Sequence, residues 1–189
     1  MKNKPLIIGI TGAFGSGKST AASFLEKKGF RKIVLSSFIE NEAKKSGIKK
    51  ITRRLLQDIG NEWREKYGGS ILAKKAIALL NKKNLLRVVI DGIRNLSEIE
   101  EFRRSYPFIL LAVVSNRQIR FERLKFLKRR ERLTWDLFEK LDKRDLGIGE
   151  GKTGLQVAFC IALADVFIDN NQNLSDFKNK LNLFLKNEK

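Results

Sequence analysis

The stretch that decides the fold is LIIGIT at Leu6–Thr11, followed directly by GAFGSGKST at Gly12–Thr20. The first six residues are a short apolar run of the kind that forms a buried parallel strand. The next residues fit the pattern G-x-x-x-x-G-K-S/T, whose glycines let backbone N–H groups surround the phosphates of a nucleotide. The helix that follows adds the partial positive charge of its N-terminus. The sequence therefore predicts a P-loop at the end of a first strand. The alternative is a glycine-rich turn that binds no phosphate.

The residues of this loop have expected roles in binding ATP and Mg²⁺. Lys18 is predicted to reach the β- and γ-phosphates and to act in catalysis, and the Ser19 hydroxyl is predicted to ligate Mg²⁺. Thr20 is expected at the α-phosphate or as a cap for backbone groups. The predicted nucleotide-binding residues of the loop are Gly12, Ala13, Phe14, Gly15, Ser16, Gly17, Lys18, Ser19 and Thr20.

Composition limits the classes of protein that the chain can form. Its 189 residues suit one domain, residues 1–189, with a core of its own. Histidine is absent, which excludes His-based triads and His-metal sites. The single cysteine, Cys160, lies in an apolar stretch and is expected to be a buried small hydrophobe. No apolar run reaches the roughly 18–20 residues that a membrane span needs. A cytoplasmic protein with no membrane partner is expected.

The net charge of +18 is extreme. A basic surface concentrates anions near the protein, and both polyphosphate substrates and nucleic acids are anions. The alternative is that most of the lysines, which are scattered along the chain, simply solvate helix faces. Charge alone does not choose between these partners.

Short apolar runs alternate with longer helical patterns along the chain, which is typical of a parallel sheet flanked by helices. The predicted fold is α/β and three-layered, a P-loop NTPase fold with a five-stranded parallel sheet. A helical acceptor-binding insertion is predicted at about residues 38–83, and an Arg-rich mobile lid at about 128–151. The predicted strands are Leu6–Thr11, Lys32–Ser36, Arg87–Asp91, Phe108–Ser115 and Val166–Asp169.

A second motif lies in the predicted strand Arg87–Asp91 and the residues after it. An acidic residue at the tip of an apolar strand matches the Walker-B role, so Asp91 is predicted to hold Mg²⁺ and to act in catalysis. Arg94, just past the tip, is predicted to grip the acceptor, because its guanidinium suits phosphate. The alternatives are a simple Asp-Gly turn and a surface arginine.

Other candidate site residues are spread along the chain. Arg120 and Arg123, at helical spacing before the predicted lid, are candidates to stabilise charge in the transition state. Arg64 in the insertion is a candidate to bind the acceptor, with Tyr67 as a stacking surface, although Trp63 and Tyr67 fit simple packing equally well. Asn170 and Asn171, at the end of the last strand, are predicted to read a purine; a plain turn is the alternative.

Together these residues resemble the nucleoside-monophosphate kinase branch of P-loop proteins, in particular the nucleotide kinases related to dephospho-coenzyme A kinase. The most specific stretches are the P-loop, IDGIRN at 90–95 and ADVFIDNN at 164–171. The resemblance implies a short parallel sheet, acceptor-binding helices and an arginine-bearing lid. It also implies a substrate-binding position at Ser37, where members of the family carry a carboxylate. That difference and GIRN after the third strand both weaken dephospho-coenzyme A as the acceptor.

The leading prediction is Mg-ATP-dependent transfer of the γ-phosphate to a nucleoside or deoxynucleoside monophosphate, with ATP and Mg²⁺ as cofactors. The second is transfer to the 3′-hydroxyl of dephospho-coenzyme A, for which Glu40 or Asp91 would be the base. The third is a nucleic-acid-associated NTPase, which is not favoured because no RNA-binding aromatic motif is present. The expected partner is a small nucleotide acceptor, and the expected assembly is a monomer or a homodimer.

Overall fold

The computed structural model describes residues 5–126 and 132–187. At its centre lies a parallel sheet of five strands, β1 (Leu6–Thr11), β2 (Arg31–Val34), β3 (Arg87–Asp91), β4 (Phe108–Val114) and β5 (Val166–Asp169). Their order across the sheet is β2-β3-β1-β4-β5. The P-loop strand is therefore central, with β3 on one side and β4 on the other. The predicted five-stranded, three-layered α/β fold is confirmed.

Helices cover both faces of the sheet, because the central strands are apolar on both sides. On β1, Ile7 faces one core while Ile8 and Ile10 face the other, and all three are fully buried. The described helices are α1 (Lys18–Lys27), α2 (Leu35–Lys45), α3 (Arg53–Tyr67), α4 (Ile71–Lys82), α5 (Leu96–Ser105), α6 (Arg117–Lys125), α7 (Trp135–Leu146), α8 (Val157–Ala162) and α9 (Leu174–Asn187). Helices α2, α4, α5 and α8 contribute to the core on the Ile7 side, and α1 and α9 to the core on the other.

The second strand is shorter than predicted. It ends at Val34 rather than at Ser36, and α2 begins at Leu35. Leu35, Ile39 and Ala43 recur every fourth residue and are buried, so the apolar stripe of α2 starts at Leu35. Ser37 therefore lies in the first turn of a helix, where its hydroxyl donates to the Val34 carbonyl (2.7 Å).

The region predicted to be a lid contains a packed helix. Its first residues, 128–131, lie outside the described residues. Helix α7 begins after Thr134, whose side chain accepts a hydrogen bond from the Leu137 N–H, and ends at Gly147. Phe138 on this helix is fully buried against Phe121 and Leu124 of α6. The lid stays a prediction, but residues 135–146 are helical and packed, a point that the charge-rich sequence of this segment concealed.

Two expectations from composition concern burial and membrane insertion. Cys160 is fully buried, as predicted, on the core side of α8. None of the helices within residues 5–126 and 132–187 combines the length and the apolar character that a membrane crossing requires.

Candidate active site

The P-loop needs glycine at positions where a side chain would collide with its neighbours. Gly15 has φ +83°, and a Cβ there would lie 2.7 Å from Leu124 Cδ1. Gly17 has φ +108°, and a Cβ there would overlap the Asn170 side chain. The positive φ angles turn the chain tightly between β1 and α1. The loop is therefore both tightly turned and in close contact with α6 and the end of β5.

Lys18 lies at the centre of the loop and is nearly buried. Its Nζ donates to the carbonyls of Gly12 (2.6 Å) and Ala13 (2.9 Å). Burial lowers the pKa of Lys18 to about 7; Asp145 opposes this shift, and the nearby Arg94 and Arg53 add to it. Because phosphate charge would favour the ammonium form, a bound polyphosphate would restore the charge on this lysine.

A cavity of about 270 Å³ opens over the loop. Its lining includes Ser19 and Thr20, which are exposed, together with Lys18 and Asn170. Asn170 is buried, and its Nδ2 donates to the Ser16 carbonyl (2.8 Å), which joins β5 to the P-loop. Asn171 does not line this cavity; it is exposed, and its Oδ1 accepts from the Asn116 N–H (2.7 Å). The structure thus brings Asn170 to the loop and leaves Asn171 outside it.

Asp91 ends the strand beside the P-loop strand. It pairs in register with Ile10 of β1, and it is buried. The described residues hold no cluster of three or more Asp, Glu, His or Cys that could bind a metal alone. Nucleotide-bound Mg²⁺ needs only one or two protein oxygen ligands, the rest coming from phosphate and water. A hydroxyl and a carboxylate fit that requirement, so Ser19 and Asp91 stay the predicted ligands.

A second cavity, of about 200 Å³, lies under α2 and α3. About half of its wall is apolar, and its polar part comes from Ser19, α2, α3 and the turn after β3. The apolar lining includes Leu35, Ile39, Leu56, Leu72, Leu141 and Leu155, and the polar lining includes Ser36, Arg53, Gln57, Arg64 and Arg94. The residues that line both cavities are Phe14, Ser19, Arg53, Arg94 and Leu124. The two cavities therefore meet at a pair of arginines beside the P-loop.

Asp145 of α7 holds these two arginines. Its Oδ1 accepts from Arg53 Nη2 (2.8 Å) and from Arg94 Nη1 (2.7 Å), and the side chain is fully buried. Burial alone would raise the pKa of Asp145, but Arg94, Arg53 and Lys18 together bring it to about 2. Its Oδ2 is buried and has no hydrogen-bond partner in the described chain. This carboxylate is thus ionised and has an unused acceptor.

Arg53 also contacts the P-loop directly. Its guanidinium carbon lies 3.9 Å from the centre of the Phe14 ring, a cation–π contact. Burial lowers the pKa of Arg53 to about 10, with Asp145 opposing and Arg94 adding to the shift. The side chain therefore stays charged at neutral pH and lies against the phosphate-binding loop.

Sequence reasoning missed both Arg53 and Asp145. Neither belongs to a motif, and Asp145 lies in the charge-rich segment that was interpreted as a lid. The sequence does contain a signal for Asp145. Two acids share helical spacing with apolar residues and so lie on an apolar helix face: Phe138, Leu141, Asp142 and Asp145. Acids on the buried face of a helix need buried cationic partners, and both have them here.

Arg120 and Arg123 are engaged with the protein itself. Arg120 is buried; it forms a bidentate pair with Asp142 and donates to the carbonyls of Phe14 (2.8 Å) and Ser115 (3.1 Å). Arg123 lines the cavity over the loop and donates to the Asn170 carbonyl (2.7 Å). Both arginines lie next to the P-loop, and their roles in the transition state stay predictions.

The predicted acceptor residues separate into two groups. Arg94 and Arg64 line the second cavity, whereas Ser37 does not, and its neighbour Ser36 does. Arg64 is almost fully buried and donates to Glu98 Oε1 through Nη2 (3.0 Å) and Nε (3.2 Å). The same Glu98 accepts from the Arg94 backbone N–H (2.8 Å). Arg64 and the Arg94 turn are therefore linked through one buried carboxylate.

Neither Trp63 nor Tyr67 of the insertion lines either of the two cavities. Trp63 is partly buried against the core. Tyr67 is 51% exposed and is absent from the lining of both cavities.

The chain is similar to proteins of known sequence over nearly its whole length, although no family model matches it. It is 32% identical over 184 residues to a UPF0200 protein of Methanocaldococcus jannaschii, which covers 96% of this chain and 89% of that relative.

Solved structures share the fold at lower identity. A Thermus thermophilus protein, TT1252, is 23% identical, with a TM-score of 0.59 over 98% of this chain and 99% of its own. Shikimate kinase from Acinetobacter baumannii, solved in complex with shikimate, is 19% identical, with a TM-score of 0.56 over 99% and 96%. At this level of identity the comparisons show the fold alone, a five-stranded parallel sheet covered by helices on both faces.

Proposed function

The chain belongs to the UPF0200 family, and we propose that it is a kinase that uses Mg-ATP to phosphorylate a nucleoside or deoxynucleoside monophosphate. The observation that carries this proposal is the meeting of two cavities at Arg53 and Arg94, beside Lys18. A phosphotransferase needs a donor site and an acceptor site that share one point, where the phosphoryl group passes between them.

The donor side uses the P-loop. ATP lies in the cavity over the loop, with Lys18 at its β- and γ-phosphates and Asn170 near its base. Mg²⁺ supplies charge neutralisation at the phosphates when bound, and Ser19 and Asp91 hold it. Lys18 leaves the carbonyls of Gly12 and Ala13 to do this, because a phosphate oxygen is a stronger acceptor than a peptide carbonyl.

The acceptor side is the cavity under α2 and α3. A phosphomonoester has a dianionic end, which suits Arg53 and Arg94, and a flat, less polar end, which suits the leucine-rich wall. No strong base is required, since the attacking oxygen of a phosphate is already charged and catalysis is mostly positioning. Arg53 and Arg94 then hold the acceptor phosphate in line with the γ-phosphate. Arg120 and Arg123 stay candidates for stabilising the transferred group.

A hydroxyl acceptor is the second candidate, and one observation favours it. The unpartnered Asp145 Oδ2 could accept the proton of an alcohol as its oxygen bonds to the γ-phosphorus and ADP leaves. Dephospho-coenzyme A is the hydroxyl acceptor that the sequence suggests. Neither Asp145 nor Glu40 is among the residues that line the cavity. Asp145 accepts from Arg53 and Arg94, which do line it, whereas Glu40 pairs with the exposed Lys44 (3.3 Å).

The test is ADP formation from Mg-ATP with a panel of acceptors: each ribo- and deoxyribonucleoside monophosphate, dephospho-coenzyme A, and RNA. We expect one or a few monophosphates to be converted to diphosphates. Lys18→Ala is expected to reduce the rate at least about a hundredfold, because a charge at the transferring phosphate is lost. Lys27→Ala, an exposed lysine on the same helix, is the matched control. Turnover with dephospho-coenzyme A alone would favour the hydroxyl acceptor. Stimulation by RNA alone would overturn both the monophosphate and the hydroxyl acceptor.

A further inference from the structure

One face of α3 carries the polar lining of the acceptor cavity. Arg53, Gln57, Gly60 and Arg64 follow each other at intervals of four, three and four residues, which is the spacing of one helix face. All four line the cavity. From Arg53 to Arg64 the helix rises about 16 Å, which is long enough for a nucleotide to lie along it.

Gly60 has no side chain, so it leaves space on this face of α3. A Cβ at Gly60 would lie 3.1 Å from Ile39 Cδ1 and 3.4 Å from Arg64 Nη1. A larger residue would therefore fill the space between α2 and α3. The missing side chain leaves room next to Gln57, one turn from the arginine end of the cavity.

Gln57 has fewer hydrogen bonds than its amide can make. It is 2% exposed, and its Nε2 donates to the Leu141 carbonyl over a long 3.4 Å. Its Oε1 is buried and has no partner within residues 5–126 and 132–187. A primary amide has two donors and two acceptor sites, and a buried amide oxygen without a donor is costly. The bond to Leu141 orients the amide, because a carbonyl can accept only from the NH₂ group.

Within residues 5–126 and 132–187, no group donates a hydrogen bond to this oxygen. Leu56, Leu141 and Ile39 line the cavity with Gln57. The two arginines of the same helix face point their paired nitrogens elsewhere, Arg53 to Asp145 and Arg64 to Glu98, and the Arg53 Nε is itself buried without a partner among these residues. An N–H donor for Gln57 would therefore come from whatever occupies the cavity. The occupant would need an anionic group at one end and an N–H on a flat, weakly polar ring about one helical turn away.

Resting on the proposed function, we propose that Gln57 selects the acceptor nucleotide, its amide oxygen accepting a hydrogen bond from an amino or imide N–H of the nucleobase. The base lies against the leucines of α2 and α3, and its phosphate lies at Arg53 and Arg94. Gln57 is thus a specificity residue rather than part of the phosphoryl-transfer machinery. Its loss changes which base is accepted and leaves ATP binding intact.

The test pairs a variant with a base analogue. Wild type and Gln57→Leu are assayed with the preferred monophosphate and with the analogue that lacks its N–H: purine riboside monophosphate for AMP, IMP for GMP, pyrimidin-2-one riboside monophosphate for CMP, or the N3-methyl form for UMP. For GMP, IMP removes only the amino group, so N1-methyl-GMP is assayed beside it to remove the imide N–H. In the wild type we expect kcat/KM to fall roughly ten- to a hundredfold, mainly through KM, for the analogue that lacks the N–H bound by Gln57, because Gln57 Oε1 is left unpaired. In Gln57→Leu we expect the two acceptors to differ by less than about threefold.

A stability measurement separates selection from structure. Removing an unpaired buried acceptor should leave the melting temperature of Gln57→Leu unchanged or raise it, whereas a structural amide would lower it. Gln57→Met, unbranched and of similar length, is the second variant, and the exposed Gln118→Leu is the matched control that should keep wild-type discrimination.

The outcomes separate this proposal from the one it rests on. An equal analogue penalty in wild type and both Gln57 variants, with monophosphates still phosphorylated, overturns the role of Gln57 alone. Failure of wild type to phosphorylate any monophosphate overturns the proposed function, and the role of Gln57 with it. Loss of the penalty in the variants but not in Gln118→Leu supports both.

Discussion

At the scale of single residues, Asp145 decides the electrostatics of the site. Three cations, Lys18, Arg53 and Arg94, lie near one another beside a loop built for anions. Without Asp145 they would repel one another in a buried setting while the site is empty. One buried carboxylate holds Arg53 and Arg94 at the junction of the cavities, ready for phosphate. We expect the incoming phosphates to compete with Asp145 for these arginines.

Asp145→Asn removes this charge and keeps the shape of the side chain. We expect it to destabilise the protein by about 3 kcal/mol at neutral pH, because two largely buried arginines lose their fully buried charged partner. The folded-state pKa of Asp145, about 2, lies below its ordinary value of 3.8. Its stabilising effect is therefore complete above the ordinary pKa and is lost as pH falls through the folded-state pKa. Urea unfolding of both proteins should show the wild-type advantage shrinking between about pH 4 and pH 2.

Asp136→Asn, an exposed change in the first turn of the same helix, controls for effects of charge on α7. It should show little change in stability at neutral pH. A difference between wild type and Asp145→Asn that stays constant down to about pH 2 would mean that this carboxylate is not held ionised by the arginines.

At the scale of elements, α7 links the donor loop to the acceptor cavity. Asp142 binds Arg120, whose guanidinium donates to the Phe14 carbonyl of the P-loop, and Asp145 binds the arginines at the cavity junction. A small shift of this one helix would therefore move both ends of the site. The helix ends at Gly147, which has φ +103° and packs closely on the backbone of Leu155.

Gly147→Ala and Gly149→Ala form a matched pair that tests this coupling. Both glycines have positive φ, so alanine costs roughly 1–2 kcal/mol at either position. A Cβ at Gly147 would also lie 2.8 Å from the Leu155 carbonyl oxygen, whereas a Cβ at Gly149 meets nothing within 4 Å. We expect Gly147→Ala to be the less stable of the two variants in urea unfolding. We also expect its kcat to be lower than that of the wild type, whereas Gly149→Ala should keep the wild-type kcat. Equal turnover in the two variants would show that the end of α7 does not position the site.

At the scale of the whole molecule, the net charge of +18 exceeds anything that one phosphate site requires. Many lysines lie on exposed helix faces, far along the chain from the P-loop, such as Lys44, Lys74 and Lys82. A field of this sign would draw the proposed substrates, ATP and a phosphorylated acceptor, toward the protein. The same field would attract nucleic acid without selecting it.

The salt dependence of binding and of turnover distinguishes electrostatic steering of the substrates from catalysis within the site. Raising the salt from about 0.05 to 0.5 M should slow the association of ATP roughly tenfold, because the long-range field is screened. The turnover at saturating substrate should change little, since Lys18, Arg53 and Arg94 act within a largely buried site. Stopped-flow binding and steady-state kcat measure the two quantities. A proportional loss in kcat would contradict the division between surface charge and site.

The sequence by itself determined the P-loop and the central strands, because each depends on a continuous run of residues. GAFGSGKST is a continuous stretch, and Leu6–Thr11, Arg87–Asp91 and Val166–Asp169 are apolar runs whose observed bounds match the predicted ones. Asp91 and Arg94, at and just past the end of β3, lie at the same edge of the sheet as the loop, since the carboxyl ends of adjacent parallel strands meet there. Their roles stay predictions.

Only the tertiary structure decided what lies opposite the P-loop. Arg53 and Asp145 meet across 92 residues of chain, and Arg94 joins them from a third segment, so no local pattern contains the cluster. In the sequence, Gln57 is an ordinary polar residue of an amphipathic helix. In the structure it is bonded to Leu141 of α7, and its amide oxygen is left without a donor among the described residues. Whether a side chain is buried and which group it is bonded to depend on how the helices pack. That packing brings these side chains together as the candidate acceptor site.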